Sequence, residues 1–531
     1  VPALLSAAQL ARRPAGHRVV VVVTVAVALL SFAVTAWDTA AQARRERADD
    51  AVGADRVYTV TAAHPQALVI AVNRADPSGQ SMAVVRSSVP YGDAHVELVG
   101  VQAQLLPAVA RWRGQDLTGV RRVAAALRPA LPEPLRVRDR IEVNADAGEL
   151  GPTPVRLGAV VSAPGEPPRT ASLGLLAQGP RTYRATLPEC RPSCRLLGLA
   201  FSPGASGLPA YRVTLTVRGI RSGGVDLDAR LDAPGAWRAA AKGPAGTVAI
   251  QPGPALSVSV SSAAQGEMLI EYGDTPVTLP AVLAGAVPAD DPGADEFDFP
   301  GLAEQLQPFT VAGSVSRLPR AGTHGLLFDL DYAVRSAEHT ASLADSTQLR
   351  YEVWAGAGAP ADLTGRLTAE GLRVLRTESV AGVRDQLGRR APALGLRLYL
   401  LAAAAAVALA VGVVVLTAYV GADARRYELA ALRVAGVRRA LLRWGVLREY
   451  GALLGLPLLV GFAVGATGAV LMLPGIPLVT VDRPAGDIGW RPGPGALPVA
   501  LAVCLAGLLL TLAIVLRMLR RATPDRLREG A

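Results

Sequence analysis

The chain has 531 residues, 51% of them apolar and only 18% charged, with a mean hydropathy of +0.31, which argues against an ordinary soluble enzyme and directs attention first to membrane spans. Its net charge of +10 would suggest nucleic-acid binding on a soluble chain, so the placement of the charge has to decide. Nearly all of that charge is arginine, with Lys242 the single lysine, and with the Ala, Gly and Pro richness this points to a GC-rich bacterial genome.

Residues 1–18 are basic through Arg12, Arg13 and Arg18, and 19–37 form the first uncharged run long enough to span a bilayer. A cleaved leader is the alternative, but the run exceeds the usual apolar region of such a leader and lacks a clear small-residue cleavage site, so a retained anchor is expected. The start at Val1 fits either an alternative start codon or the second half of a longer, duplicated chain.

Residues 38–133 read as the first part of an α/β lobe. AQARRERADDAVGADR continues the first helix, RVYTVTA from Arg56 alternates as a strand, HPQALVIAVNRAD opens a helix at Pro65, SMAVVRS and HVELVGVQ read as strands, and LTGVRRVAAALRPAL from Leu117 reads as a helix ended by proline. From 134 to 272 the pattern changes to short β runs, such as LRVRDRIEVNA, PVRLGAVVSA, YRVTLTVRG and ALSVSVSS, separated by Gly, Pro and Ser, as in a β-sandwich. Within it Cys190 and Cys194 share the polar loop ECRPSC, where a short-range disulfide is expected if the loop lies outside the cytoplasm.

Residues 273–397 read as the second part of the lobe, so that the sandwich is inserted into it. TPVTLPAVLAG, HGLLFDLDYAV and LRYEVWAG are expected as strands, ADLTGRLTAEGL as a helix, and VRDQLGRR as a helix leading into the membrane. DDPGADEFDFPG gathers Asp290, Asp291, Asp295, Glu296 and Asp298, but the spacing does not fit an EF-hand and a solvated acidic loop is expected.

Three more apolar runs follow at 398–420, 451–473 and 496–516. Between them lie a basic segment at 421–450 and a loop at 474–495, and 517–531 form a basic tail. The segments 1–18, 421–450 and 517–531 carry +3, +4 and +3, which together equal the net charge of the chain. By the positive-inside rule these three are cytoplasmic, both termini included, and the large domain and the 474–495 loop are outside. The basicity is thus membrane topology, and no nucleic-acid partner is expected. The fold class that results is an α-helical membrane protein, with four transmembrane helices in a one-plus-three arrangement and a large α+β extracytoplasmic domain containing a β-sandwich.

The segment RRYELAALRVAGVRRALLRWGVLREYGALLG at 425–455 resembles the cytoplasmic stretch of FtsX-like permeases, with Arg426, Glu428, Leu432, Arg433, Gly436 and Arg438 carrying the resemblance. The tail RRATPDRLREG and the one-plus-three topology are similar to that family as well. The resemblance implies a type VII ABC transporter permease, of the group that includes MacB and the lipoprotein-releasing transporters. Such a permease works as a dimer, with a second copy or a paralogue, on cytoplasmic ATPase subunits, whose closure moves the outer domains. Leu429, Leu432 and Gly436 are spaced by three and four, so one face of a helix could seat in a partner groove as a coupling helix. A basic helix lying on lipid headgroups has the same composition, and the resemblance is what favours coupling.

The sole lysine, in RAAAKGPAG, follows Ala241 and is not followed by Ser or Thr, so no Walker A loop is present and ATP hydrolysis is expected only in a partner subunit. His17, His64, His95, His324 and His339 are scattered, and no cofactor, metal set or catalytic triad is expected. Cys190 and Cys194 as a redox pair is a weaker reading than a structural clip. A membrane-anchored extracytoplasmic binding or sensor protein for an envelope ligand is the competing function, although one span would suffice for anchoring.

Overall fold

The chain divides into a helical unit, Val1–Ala48 with Ala381–Ala531, and a β-rich unit, Asp49–Val380. The structure is a computed structural model, described over residues 14–92, 94–204, 210–240, 245–263, 266–286, 293–339, 343, 348–422, 427, 439–472 and 496–520.

The helical unit is built on four long helices, Pro14–Val52, Ala391–Val420, Arg439–Met472 and Ala496–Arg520. Three stretches, His17–Val52, Ala391–Val420 and Gly451–Met472, are long and apolar enough to cross a membrane, and in the last helix a shorter apolar stretch covers Pro498–Ile514. Each helix begins before, or ends beyond, the apolar run that marks it, because the flanking Ala, Leu and Arg residues also favour helix. Lipid tails are as apolar as leucine, so helices in a bilayer associate through close backbone packing rather than burial alone. Gly461 and Gly465 supply that approach. A Cβ on Gly461 would lie 2.6 Å from the Thr24 carbonyl oxygen, and one on Gly465 would overlap the Ala28 carbonyl. Ala36, Ala40, Leu396 and Ala469 pack together further along, and Val27 packs with Leu458 and Cys504. The first helix is less purely aliphatic than its hydropathy suggests. Its Thr24, Thr35 and Thr39 hydroxyls donate to carbonyls four residues back at 2.7, 2.7 and 2.9 Å, which satisfies them inside the helix.

In the β-rich unit a nine-stranded mixed sheet is assembled from both ends of the segment. Its order is Glu296–Pro300, Leu306–Val315, Leu279–Ala284, Gly325–Asp329, Ala94–Val101, Ser81–Tyr91, Arg350–Ala355, Arg56–Thr61 and Arg373–Ser379. Two pairs are parallel, Leu279–Ala284 with Leu306–Val315 and Gly325–Asp329 with Ala94–Val101; the other neighbours are antiparallel. Helices Pro65–Ala75, Leu330–Ala337 and Leu363–Ala369 cover one face, over a core that includes Tyr58, Leu68, Leu98, Phe309, Phe328 and Val353.

Between Ala94–Val101 and Leu279–Ala284 the chain forms two six-stranded sheets. One runs Gly246–Gln251, Leu256–Ser262, Tyr211–Ser222, Arg140–Leu150, Gly179–Thr186; the other runs Trp237–Ala239, Met268–Tyr272, Cys194–Pro203, Val155–Ser162, Arg169–Leu175, each with one short added strand. The alternating inward residues of both, such as Ile141, Val143, Leu157, Phe201, Leu215 and Val258, form a single second core.

Two local expectations are corrected. HGLLFDLDYAV is not one strand: Gly325–Asp329 is followed directly by the helix Leu330–Ala337, because Asp329 caps it, its carboxylate accepting from the Tyr332 amide at 3.1 Å. The acidic run is not a loop throughout either. Glu296–Pro300 is an edge strand whose Phe297 and Phe299 turn inward, leaving Glu296 and Asp298 in solvent, while Asp290 and Asp291 lie outside the described residues.

Candidate functional site

The expected coupling residues Arg426, Glu428, Leu429, Leu432, Arg433, Gly436 and Arg438 lie outside the described residues. The helix that follows them is described from Arg439, so the chain is already helical twelve residues before the apolar stretch at Gly451.

The β-rich unit contains a charged junction where its two chain connections enter. The strand Arg56–Thr61, which follows the first long helix, pairs with Arg373–Ser379, which precedes the helix Val380–Gly388; Arg56 faces Ser379, and the Val380 amide donates to the Asp55 carbonyl at 3.2 Å. Incoming and outgoing chain are therefore hydrogen-bonded neighbours. The first long helix ends with Asp49 and Asp50, acids at the end where the helix dipole disfavours them. Arginines from two other segments compensate: Arg111 reaches Asp49 at 3.5 Å and also pairs with Asp55, Arg113 reaches Asp50 at 3.6 Å, and Arg317 reaches Asp50 at 2.8 Å. Gly53 follows with φ +72, a left-handed turn that also lets the Pro319–Arg320 backbone approach closely.

Arg320 links this helix end to the sheet. Its amide donates to the Asp50 carbonyl at 3.0 Å and its Nη1 to the Ala51 carbonyl at 3.0 Å. Its guanidinium pairs with Glu352 at 2.9 Å and Glu378 at 2.7 Å. Glu352, 2% exposed, sits on the sheet face opposite the helices and also receives Arg86 at 3.3 Å and the Trp354 indole at 2.9 Å. Arg86 in turn reaches Glu97 at 2.6 Å. Burial alone would push the Glu352 carboxyl up, but Arg320 and Arg86 outweigh it and hold the group below the usual carboxylate range. For Arg320 burial works toward a lower value, and Glu352 and Glu378 more than reverse it. Both groups stay charged, and the network ties four strands and the helix end together.

A second network fixes the sandwich to the lobe. Arg195, on Cys194–Pro203, makes a two-pronged contact with Asp274 at 2.7 and 2.7 Å, reaches Glu338 at 2.8 Å, and donates to the Arg335 carbonyl at 2.9 Å. Burial pushes the Glu338 carboxyl up despite Arg195. His339 lies 3.4 Å from Arg195 Nη2 through Nε2, which assigns the ring proton to Nδ1, facing Glu271 at 3.7 Å. Burial, with Arg195 adding to it, pulls the His339 imidazole down to about 4.

Cys190 and Cys194 are joined in a disulfide, and both are buried against the sandwich core. Among the described residues no group of three or more His, Cys, Asp or Glu side chains is placed to hold a metal ion. Reading the sequence alone misses the junction residues. The signal available was a charge inside an apolar strand, Arg86 in SMAVVRSSV and Glu352 in RYEVWA, since such a residue is buried only when paired.

Residues 400–524, the second to fourth long helices with their connections, match the FtsX-like permease C-terminal family. A search of curated proteins gives no match to the chain.

Proposed function

We propose that this FtsX-like permease is the membrane subunit of an ABC transporter, coupling ATP hydrolysis in a separate cytoplasmic ATPase to motion of its β-rich unit for export, extraction or mechanical signalling. In this reading four helices span the membrane, both termini lie on the ATPase side, the β-rich unit lies outside, and two permease copies or paralogues work together. The segment 421–450 seats in the ATPase, with Leu429, Leu432 and Gly436 at the contact and Arg426, Glu428, Arg433 and Arg438 around it.

The observation that carries the mechanical part is the junction. A push delivered along the first helix is useful only if the helix end does not give way, and here Arg320 bonds that end and pairs with two carboxylates of the sheet. Because the outgoing strand is paired beside the incoming one, both connections load the same edge of the nine-stranded sheet. The test is a spin label at Val225, exposed on the sandwich, in the complex with its ATPase reconstituted in lipid. Label-to-label distances between the two copies should differ between ATP-trapped and nucleotide-free states; identical distributions would refute mechanical coupling.

A further inference from the structure

Within the helical unit, Arg44 and Arg397 stand near enough for the charge of one to act on the other. Arg44, on the helix Pro14–Val52, is 6% exposed, and its Nη1 is buried without a hydrogen-bond partner. Its guanidinium lies over the Trp37 ring, 5.2 Å from the centroid. The charge that acts on it is another cation, Arg397, which is itself exposed. The packing of Ala40 against Leu396 explains the meeting: Arg44 is one turn beyond Ala40, and Arg397 directly follows Leu396. Glu46, on the same helix as Arg44, is engaged by Gln42 at 3.0 Å.

A buried guanidinium facing a like charge is strongly unfavourable unless an anion comes with it. The level of the pair indicates which anion. Trp37 closes the apolar run 19–37 and Arg397 immediately precedes the apolar run 398–420, so both stand where hydrocarbon gives way to headgroups. The guanidinium fork fits phosphate oxygens two at a time, and the Trp37 face holds the Arg44 plane in place by cation–π attraction. We propose that Arg44 and Arg397, supported by Trp37, form a binding site for the phosphate group of an anionic membrane lipid. Exposed Arg397 meets the headgroup first, and Arg44 supplies the inner donor that lacks a partner. The chain would therefore carry specific lipid at this end of its helices, as distinct from the diffuse attraction of its basic segments at 421–450 and 517–531.

The experiment compares the full chain with its Arg397→Gln and Arg44→Gln variants in detergent. Lipid retention is read by native mass spectrometry after loading with phosphatidylglycerol or phosphatidylcholine, and thermal unfolding is followed with phosphatidylglycerol or inorganic phosphate. The wild-type chain should retain phosphatidylglycerol in preference, and each substitution should weaken retention about fivefold. Arg397→Gln removes an exposed side chain and leaves folding intact, so it decides the matter even if Arg44→Gln folds poorly. Arg218→Gln, on the exposed sandwich face, should change nothing. Retention unchanged in Arg397→Gln would overturn the site, and protection by inorganic phosphate equal to that by the lipid would overturn the lipid as its source.

Discussion

Glu352→Gln is the sharpest perturbation of the junction. The amide keeps the shape and one acceptor oxygen but removes the charge that Arg86 Nη1 at 3.3 Å and Arg320 Nε at 2.9 Å both use. Each arginine retains one partner, Glu97 at 2.6 Å and Glu378 at 2.7 Å, so neither is wholly abandoned. Because each guanidinium keeps one carboxylate, the loss falls below that of a buried charge left with no partner and comes to about 2–3 kcal/mol. For a unit the size of Asp49–Val380 that corresponds to a fall in Tm of roughly 3–4 °C. Arg376→Gln is the matched control: Arg376 pairs with Glu378 at 2.9 Å but is largely exposed, and such pairs contribute below about 1 kcal/mol. The assay is thermal unfolding of both variants in detergent, followed by near-ultraviolet circular dichroism. A fall for Glu352→Gln no larger than that for Arg376→Gln would refute the claim that the junction is held by this carboxylate.

Gly465→Leu should destabilise the helical unit by about 1–3 kcal/mol, since its side chain meets the Ala28 carbonyl, whereas Gly451→Ala, with open space at its Cβ, should be neutral; detergent melting separates the two. His339 stays neutral in the fold down to about 4 but protonates near 6.5 when unfolded. Its contribution is thus complete above pH 6.5 and is lost as the pH falls toward 4, by up to about 3 kcal/mol. The carboxyls of Glu271 and Glu338, raised by burial, act in the opposite sense, so the difference between the wild-type chain and His339→Gln across that window is the quantity to measure, and a pH-independent difference would count against the assignment. The Cys190→Ala, Cys194→Ala double variant should lose only about 2 kcal/mol, because the bridged residues are 4 apart and the closed loop is short; urea midpoints read this directly.

What could be read from the sequence depended on range. Alternation in YRVTLTVRG marks the strand Tyr211–Ser222 because one face is buried, whereas the strand Arg56–Thr61 buries Val57 on one face and Tyr58 and Val60 on the other. Pairing is another matter. That Gly325–Asp329 lies parallel to Ala94–Val101, on the far side of the sandwich in sequence, follows from long-range packing that no local pattern encodes. HGLLFDLDYAV misled because a five-residue buried strand running into a helix has no period of its own, and only Asp329 marked the change. The junction was hidden for a related reason: Arg320 matters through its backbone and through carboxylates on two strands, whereas its local sequence, RLPRAG, reads as an ordinary turn. The resemblance to FtsX-like permeases was legible in the segment at 425–455, which lies within residues 400–524, the part of the chain that matches the FtsX-like permease C-terminal family.

The central claim is tested most directly by asking whether the chain holds an ATPase. The full chain, affinity-tagged and expressed from its native gene neighbourhood, would be purified from membranes in mild detergent, alongside Glu428→Ala and Gly436→Leu. The account predicts that the wild-type chain brings down an ABC ATPase subunit with nucleotide hydrolysis, and that both variants remain in the membrane but lose it. A wild-type chain that purifies without any ATPase, or variants that both retain it, would contradict the account.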